Sequence, residues 1–278
     1  MASPQELKRQ LPGVVDIAYE QYKRDLSLYR MAKEIMTPDV VTVSPETLMD
    51  EAARMMGDKH IGSLIVMKYR TPVGIVTERD LLSKILAFGR SIRLERVENV
   101  MSYPLVSVSL TSKIKEIAQT MISHKGRLAV FDVGKLAGII TASDLIKCLP
   151  DVPETEVKVE DFMTKPVVTA DEKTSVATVA SNMGRERIGS VVITREGDPF
   201  GIFTERDLLT AFLARGRDLH TEVGKEASSP LIVIPAGTSV HRAAATMALK
   251  HIRRLPVIKD DRLLGIVTAR DLVEAYAK

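Results

Sequence analysis

Four pairs of threonine and aspartate, each separated by two residues, are the side chains in this sequence best suited to chemistry. The pairs are Thr77 and Asp80, Thr141 and Asp144, Thr204 and Asp207, and Thr268 and Asp271. A threonine hydroxyl can hydrogen-bond a phosphate, and an aspartate can accept two hydrogen bonds from sugar hydroxyls. The combination suits a ribonucleotide, with its sugar on the aspartate and its phosphate near the threonine. Candidate partners for the phosphate are the nearby arginines Arg79, Arg206, Arg270, Arg127 and Arg254.

The same spacing is also that of a helix cap. In a capping box the threonine accepts a backbone N–H and the acid three residues later reaches back to the threonine N–H, which stabilises the helix by about 1 kcal/mol. A glycine three residues before each threonine favours close approach by a ligand or by another backbone segment, which a cap does not need. The residues alone leave both interpretations open.

Each pair belongs to a longer motif, Gly-x-x-Thr-x-x-Asp-Leu, which occurs four times. Its glycines, Gly74, Gly138, Gly201 and Gly265, lie 64, 63 and 64 residues apart, so the chain consists of four structural repeats. In the first repeat, apolar periodicity predicts a strand at 40–43, a helix at 47–59, strands at 64–67 and 73–76, and a helix at 78–87. The predicted fold class is α/β (α+β), built from four such units. The threonine lies where the third strand ends and the second helix begins.

A second periodicity divides the repeats into two kinds. Repeats one and three share Thr-Glu-Arg-Asp-Leu-Leu, whereas repeats two and four share Thr-Ala-x-Asp-Leu and an Arg-Leu before the middle strand. The offset of 127 residues predicts two modules, 31–150 and 156–278, joined by a proline-containing linker at 150–155. The predicted domains within them are 31–90, 97–150, 156–216 and 219–278. An amphipathic helix is predicted within residues 1–30.

Composition and charge exclude several classes of function. The net charge of +3 is small and spread along the chain, which argues against nucleic-acid binding. Cys148 is the only cysteine, so an intrachain disulfide is impossible. Apolar runs fall short of the roughly 18 residues that span a bilayer, so we expect a cytoplasmic protein with no membrane association. Without a nucleophile–base set or metal-ligand spacing, we predict no enzyme, no metal and no catalytic cofactor.

Each repeat resembles a cystathionine-beta-synthase (CBS) domain. The resemblance rests on the segment Ile35-Met36-Thr37-Pro38-Asp39-Val40, on the helix after Thr47 and on the final Gly-x-x-Thr-x-x-Asp-Leu. Similar lead-in sequences occur at 100–107 and 162–169, while the fourth, at 225–230, lacks the usual Met-Thr. The match covers roughly residues 31–278, nearly the whole chain, and its fourfold recurrence makes it specific.

The resemblance implies that the repeats pair as Bateman modules, whose clefts hold AMP, ADP or ATP. It implies that Asp80, Asp144, Asp207 and Asp271 hold ribose hydroxyls and that the motif threonines lie near the phosphate or ribose. Adenine is expected against residues near the first strands: Val41, Val106, Val168 and Ile232. A homodimer and an unidentified downstream protein partner are also expected.

Ser63 and Ser190 occupy the positions where repeats two and four have Arg127 and Arg254, so the clefts are expected to be chemically unequal. We therefore predict a regulatory, energy-sensing protein that binds an adenine nucleotide. The alternatives are a structural or interaction module in which Thr-x-x-Asp only caps helices, and a regulatory module for another adenosine compound such as S-adenosylmethionine. A fragment related to IMP dehydrogenase is disfavoured because no residues are left for a catalytic barrel.

Overall fold

The computed structural model describes residues 31–124, 126–147 and 157–278. The amphipathic helix predicted within 1–30, the linker predicted at 150–155 and Cys148 lie outside the described residues. Each of the four repeats folds in the predicted order of strand, helix, strand, strand and helix. The fold class is therefore confirmed as mixed α/β, with four small sheets and their helices.

Every repeat contains one three-stranded sheet. Its first strand pairs parallel with its second, and its second strand pairs antiparallel with its third. This arrangement brings the end of each third strand, with its motif threonine, beside the start of the second strand. The strands are β1 (Thr42–Val43), β2 (Ser63–Lys68), β3 (Thr71–Thr77), β4 (Ser107–Ser109), β5 (Leu128–Asp132), β6 (Lys135–Ile140), β7 (Thr169–Asp171), β8 (Ser190–Arg195), β9 (Asp198–Thr204), β10 (Ile234–Pro235), β11 (Arg254–Lys259) and β12 (Arg262–Thr268).

The first helix of each repeat follows the first strand and buries an apolar face. These helices are Met49–Asp58, Ile114–His124, Val176–Glu186 and Val240–Lys250. Their buried residues include Met56, Met121, Met183 and Met247, which fits the ability of methionine to fill irregular gaps in a core. Short helical turns also precede the first strands, at Ala32–Ile35, Val97–Val100, Val159–Asp161 and Val223–Lys225.

The second helix of each repeat begins directly after the motif threonine. In repeats two and four it is an α-helix, Ala142–Ile146 and Ala269–Ala277. In repeats one and three only the first turn is α-helical, Glu78–Asp80 and Glu205–Asp207, and the chain continues as a π-helix over Leu81–Ile85 and Leu208–Leu213. In repeat one a 3₁₀ turn, Leu86–Phe88, follows. Helix geometry therefore separates the same two kinds of repeat as the motif sequence does.

The chain forms two compact units. One unit, here called the even-repeat unit, contains the described residues of 1–39, 106–167 and 232–278, which are the bodies of repeats two and four with the lead-in segments of repeats one and three. The other, the odd-repeat unit, contains residues 40–105 and 168–231, the bodies of repeats one and three with the lead-in segments of repeats two and four. The modules 31–150 and 156–278 remain a prediction.

Each lead-in segment is held on a third strand by a pair of backbone hydrogen bonds. In the even-repeat unit Thr37 and Ile139 exchange bonds of 2.9 and 3.0 Å, and Thr164 pairs with Ile266 in the same way. In the odd-repeat unit Ser102 pairs with Ile75 at 2.8 and 3.0 Å, and Ser228 with Ile202. The fourth lead-in segment, which departs from the Met-Thr pattern, keeps this bridge because a serine backbone bonds as a threonine backbone does.

The motif glycines allow this close approach. A Cβ on Gly74 would lie 2.8 Å from the Ser102 carbonyl oxygen, and one on Gly138 would lie 2.9 Å from the Thr37 carbonyl oxygen. Such distances are too short for a carbon atom, so a side chain would displace the lead-in segment. Of the two partners that the sequence left open for this glycine, a ligand or a backbone, the structure brings a backbone against it.

The odd-repeat unit is packed through two symmetric glycine contacts. A Cβ on Gly57 would lie 2.4 Å from the Ala214 Cβ, and one on Gly184 would lie 2.8 Å from the Ala87 Cβ and 2.5 Å from the Leu82 carbonyl oxygen. The first helix of each odd repeat therefore lies against the π-helical segment of the other, with almost no space between the backbones. Repeats one and three form a closely fitted pair.

Candidate functional site

All four Thr–Asp pairs form capping boxes. In each pair the aspartate Oδ2 accepts hydrogen bonds from both the backbone N–H and the hydroxyl of the threonine. The N–H and hydroxyl distances are 2.8 and 2.7 Å for Thr77–Asp80, 2.9 and 2.7 Å for Thr141–Asp144, 2.8 and 2.8 Å for Thr204–Asp207, and 2.7 and 2.8 Å for Thr268–Asp271. The capping interpretation is therefore correct for every repeat.

The cap uses only one oxygen of each aspartate, so the role in capping does not exclude a role in binding. A carboxylate has two oxygens and about four acceptor positions. The second oxygen, Oδ1, is the one that a sugar hydroxyl could reach without breaking the cap. In the first repeat Asp80 Oδ1 contacts the Lys84 ammonium at 2.7 Å, and in the second Asp144 Oδ1 lies 3.9 Å from Lys147. These lysines would have to share the oxygen with a ligand.

The pKa of the last aspartate, Asp271, depends on its burial. Burial raises the pKa of Asp271 above its ordinary value of 3.8, although hydrogen bonds from Thr268 and the charge of Arg270 act in the opposite direction. Burial disfavours the ionised form because the carboxylate loses contact with water. A ligand that donates hydrogen bonds to the ionised Asp271 would lower this pKa.

Strand register puts a second residue beside each threonine. Ser63 lies directly opposite Thr77, and Ser190 lies opposite Thr204, whereas Arg254 lies opposite Thr268. Directly opposed residues of an antiparallel pair share one face, with Cβ atoms about 5 Å apart. In repeat two Arg127 immediately precedes β5, whose first residue, Leu128, pairs with Ile140. The register therefore extends to Arg127 and Thr141, and the even repeats carry arginine where the odd repeats carry serine.

The two kinds of site are sorted between the two units. Both serine-type sites, with Thr77–Asp80 and Thr204–Asp207, belong to the odd-repeat unit. Both arginine-type sites, with Thr141–Asp144 and Thr268–Asp271, belong to the even-repeat unit. The chemical difference expected between the sites is therefore a difference between the two units, because the two sites within each unit are alike.

The motif arginines of the odd repeats make ion pairs that the sequence did not indicate. Arg79 lies 3.7 Å from Glu205, and Arg206 lies 3.6 Å from Glu78. Each arginine therefore pairs with the glutamate of the other odd repeat. The sequence contains part of this information, because the Glu-Arg dipeptide occurs in both odd repeats and in neither even repeat. Nothing within one repeat indicates that its arginine pairs with the glutamate of the other repeat.

The residues predicted to contact adenine lie just before or at the start of the first strands. The carbonyl oxygens of Val41, Val106 and Val168 accept hydrogen bonds from Ile65, Ala129 and Val192 at 3.0–3.1 Å, and Ile232 precedes β10. Each of these four residues belongs to the same unit as the Thr–Asp pair of its own repeat. Because the carbonyls already hold the sheet together, adenine would have to use the N–H groups or the second carbonyl lone pairs.

A groove of about 460 Å³ in the even-repeat unit is lined by other residues, including Ser107, Ser112, Glu116 and Phe131. It contains none of the predicted ligand residues, so we do not assign the nucleotide to it.

Within residues 31–124, 126–147 and 157–278, no group of three or more His, Cys, Asp or Glu side chains is placed to hold a metal ion. Over the same ranges, no helix has both the length and the apolar character needed to cross a bilayer.

The CBS-domain family matches this chain at residues 32–87, 97–151, 159–214 and 222–278. The four matched segments correspond to the four repeats and include most of the sequence. The protein therefore belongs to the CBS-domain family, as the repeated motifs predicted.

Similar proteins include archaeal and bacterial members of the family. Uncharacterized protein MJ1404 of Methanocaldococcus jannaschii is 32% identical over 272 residues, which cover 91% of this chain. This chain spans 63% of the length of that relative, which is less than two thirds. The CBS domain-containing protein YhcV of Bacillus subtilis is 33% identical over 114 residues, covering 41% of this chain and 81% of YhcV.

A solved structure has the same fold. Protein MJ1225 of Methanocaldococcus jannaschii superimposes with a TM-score of 0.74 at 22% sequence identity, over 89% of this chain and 100% of that chain. A sequence comparison aligns the protein of the same name at 28% identity over 210 residues, covering 69% of this chain and 74% of that relative.

Proposed function

We propose that this protein binds an adenine nucleotide at its Thr–Asp pairs and regulates a partner protein according to which nucleotide is bound. CBS-domain proteins are typically regulatory, and MJ1225 is described as a proposed archaeal homologue of g-AMPK. Nucleotide binding can change the state of a partner only if two arrangements of the protein differ in affinity for the ligand. The proposed role is sensing, without catalysis, in the cytoplasm.

The observation that carries this proposal is the grouping of Arg254, Thr268 and Asp271. Arg254 lies directly opposite Thr268 on the neighbouring strand, and Thr268 is bonded to Asp271. A guanidinium, a hydroxyl and a carboxylate are thereby brought together within one strand pair and the helix that follows it. The guanidinium suits a phosphate and Asp271 Oδ1 suits a ribose diol, while the Thr268 hydroxyl, which donates its hydrogen to Asp271 Oδ2, holds the carboxylate in place.

A thermal-shift panel tests the proposal. The unmodified protein is heated with adenosine, AMP, ADP, ATP, S-adenosylmethionine and, as a base control, GTP. Ligands that bind the folded state raise the melting temperature, by an amount that grows with concentration above Kd. We expect at least one adenine nucleotide to raise it and GTP to raise it less. A panel in which no adenosine compound moves the melting temperature would contradict nucleotide sensing and favour the structural-module alternative.

A variant of the central arginine makes the test specific to the site. Arg254→Ser gives repeat four the residue that the odd repeats have at this position. We expect this variant to lose affinity for ADP while its affinity for adenosine changes little, because only the phosphates need the guanidinium. Arg195→Ser, which removes an exposed arginine paired with Glu172 at 2.7 Å, is the matched control and should leave both affinities unchanged. Equal losses for ADP and adenosine in Arg254→Ser would refute its role at the phosphate.

A further inference from the structure

Two glutamates immediately follow the motif threonines in the odd repeats. Glu78 is 2% exposed and Glu205 is 8% exposed. A buried carboxylate is costly because it loses hydration, and it is retained in a fold when it is paired. The even repeats have alanine at the same position, Ala142 and Ala269. The acid is therefore a property of the odd-repeat unit and is not part of the common fold.

The glutamates neutralise the two arginines that belong to the odd-repeat motifs, Arg79 and Arg206. Arg206 Nε lies 3.6 Å from Glu78 Oε1, and Arg79 Nε lies 3.7 Å from Glu205 Oε2. The arginine side chains are 37% and 50% exposed, so they could contact a ligand, but their charge is already compensated. Two carboxylates and two guanidiniums give this four-residue cluster a net charge of zero.

A phosphate would be less favourable here than in the even-repeat unit. A phosphate bound near the Thr77 hydroxyl would lie close to Glu78, the next residue in the chain, and like charges at such a distance repel. To pair with Arg79 or Arg206, the phosphate would also have to compete with a carboxylate that is already in place. In the even repeats an alanine replaces the acid, and Arg254 lies opposite the threonine.

We propose that Glu78 and Glu205 are specificity-determining residues, which make the odd-repeat sites favour adenosine ligands with few phosphates. This inference rests on the proposed nucleotide function. The even-repeat sites would bind the more highly phosphorylated ligand. A single chain would then compare two adenosine compounds, one in each unit, which is a finer discrimination than four equal sites allow.

The experiment measures the ratio of ADP affinity to adenosine affinity at the odd-repeat sites. The even-repeat sites are weakened first by Asp144→Asn and Asp271→Asn, and isothermal titration is carried out with adenosine and with ADP. Glu78→Gln and Glu205→Gln are then introduced together into this background. Each substitution removes a negative charge and keeps the shape of the side chain, so two guanidiniums become available to phosphate.

We expect the ratio to rise roughly tenfold in the glutamine variant, a change corresponding to one charge interaction of moderate strength. Adenosine affinity should stay within about twofold, because adenosine has no phosphate to sense the charge. The matched control is Glu172→Gln, which removes a glutamate paired with Arg195 in the same unit and should leave the ratio unchanged. An unchanged ratio in the glutamine variant, with adenosine still bound, overturns the proposal.

The reverse substitution keeps the proposal testable if the glutamine variant does not fold. Ala142→Glu introduces the acid into repeat two, where position 142 is partly exposed, in a background of Asp80→Asn and Asp207→Asn. We expect the ADP-to-adenosine ratio at the even-repeat sites to fall by several fold, and a constant ratio counts against the proposal. If the unmodified protein binds neither compound, the proposed function itself fails. If it binds both and the ratios do not respond, only the role of the glutamates fails.

Discussion

Asp80 accepts hydrogen bonds from the N–H and from the hydroxyl of Thr77 through a single oxygen, Oδ2, at 2.8 and 2.7 Å. The same relationship recurs in all four repeats, so the motif is first of all a structural cap. The other oxygen, Oδ1, takes no part in the cap and is the atom proposed to hold a ribose hydroxyl, in competition with Lys84 at Asp80 and with Lys147 at Asp144. Two measurable quantities, the stability of the fold and its affinity for a ligand, are therefore expected to depend on one side chain.

The first prediction separates these two tasks. Asp80→Ala removes the capping box and should lower the free energy of unfolding by about 1 kcal/mol. It should also weaken nucleotide binding at repeat one by about tenfold or more, because a buried hydrogen-bond acceptor for the ribose is lost. Urea denaturation and isothermal titration measure the two effects in one preparation.

The control for this prediction is another helix cap that contains no predicted ligand residue. Ser175 caps the helix Val176–Glu186 by accepting a hydrogen bond from the Thr178 N–H at 3.2 Å. Ser175→Ala should cost a similar free energy and leave nucleotide affinity unchanged. If both variants show the same affinity as the unmodified protein, Thr-x-x-Asp has only a capping role.

A second prediction concerns the motif glycine. Gly74→Ala should destabilise the protein by about 1–3 kcal/mol, because its Cβ would lie 2.8 Å from the Ser102 carbonyl oxygen and would push the lead-in segment away. Gly126→Ala is the control, because a Cβ there would lie 3.7 Å from the His124 carbonyl oxygen, which is an ordinary van der Waals distance. Thermal denaturation distinguishes the two, and equal melting temperatures would show that the lead-in segment is not fixed against Gly74.

A third prediction tests the close packing of repeats one and three. Gly57→Ala should destabilise the odd-repeat unit by about 1–3 kcal/mol, because its Cβ would lie 2.4 Å from the Ala214 Cβ. Ala214→Gly in the same chain removes the clash and should restore part of the lost stability, less the helix penalty of about 1 kcal/mol for glycine. Purely additive losses in the double variant would mean that the two residues do not contact each other.

A fourth prediction follows from the raised pKa of Asp271. The folded protein holds the Asp271 proton more tightly than the unfolded chain does, so protonation stabilises the fold. This contribution is complete below pH 3.8, the ordinary value, and is lost as pH rises through the higher pKa of the folded protein. A series of urea denaturations at pH values between the two pKa values measures this decline in the free energy of unfolding. Asp271→Asn should remove the part of the decline that comes from Asp271.

Asp218 provides the opposite case as a control. The backbone N–H and the side chain of His220 lower its pKa, so its contribution is present above the ordinary pKa and is lost as pH falls through the lower folded-state pKa. Asp218→Asn should therefore change the pH dependence in the other direction. Identical pH profiles for Asp271→Asn and the unmodified protein would show that burial of this carboxylate has no thermodynamic effect.

Much of the fold was predictable from motifs that recur every 63 or 64 residues. Each motif threonine lies where a strand ends and caps the helix that follows, as predicted, because local capping chemistry and apolar periodicity act over short distances. Thr77, Thr204 and Thr268 are the last residues of their strands, and Thr141 directly follows β6. The antiparallel pairing of the second strand with the third was also predictable in each repeat, since a short polar turn joins the two strands.

Long-range contacts were not predictable in the same way. The antiparallel bridge between Thr37 and Ile139 joins residues far apart in sequence through backbone atoms, which carry no residue-specific signal. The ion pair between Glu78 and Arg206 joins two repeats, and the motif alone cannot tell a ligand-facing arginine from one that contacts another repeat. The π-helix over Leu81–Ile85 follows the same Thr-x-x-Asp-Leu motif as the α-helices do.

The most direct test of nucleotide sensing is isothermal titration with ADP on the unmodified protein and on a variant in which Asp80, Asp144, Asp207 and Asp271 are all changed to asparagine. Circular dichroism is recorded on both to establish that the variant keeps its secondary structure. We predict saturable heat for the unmodified protein and none for the folded variant. Undiminished binding by the variant, or an unmodified protein that binds no adenine nucleotide, would contradict the account.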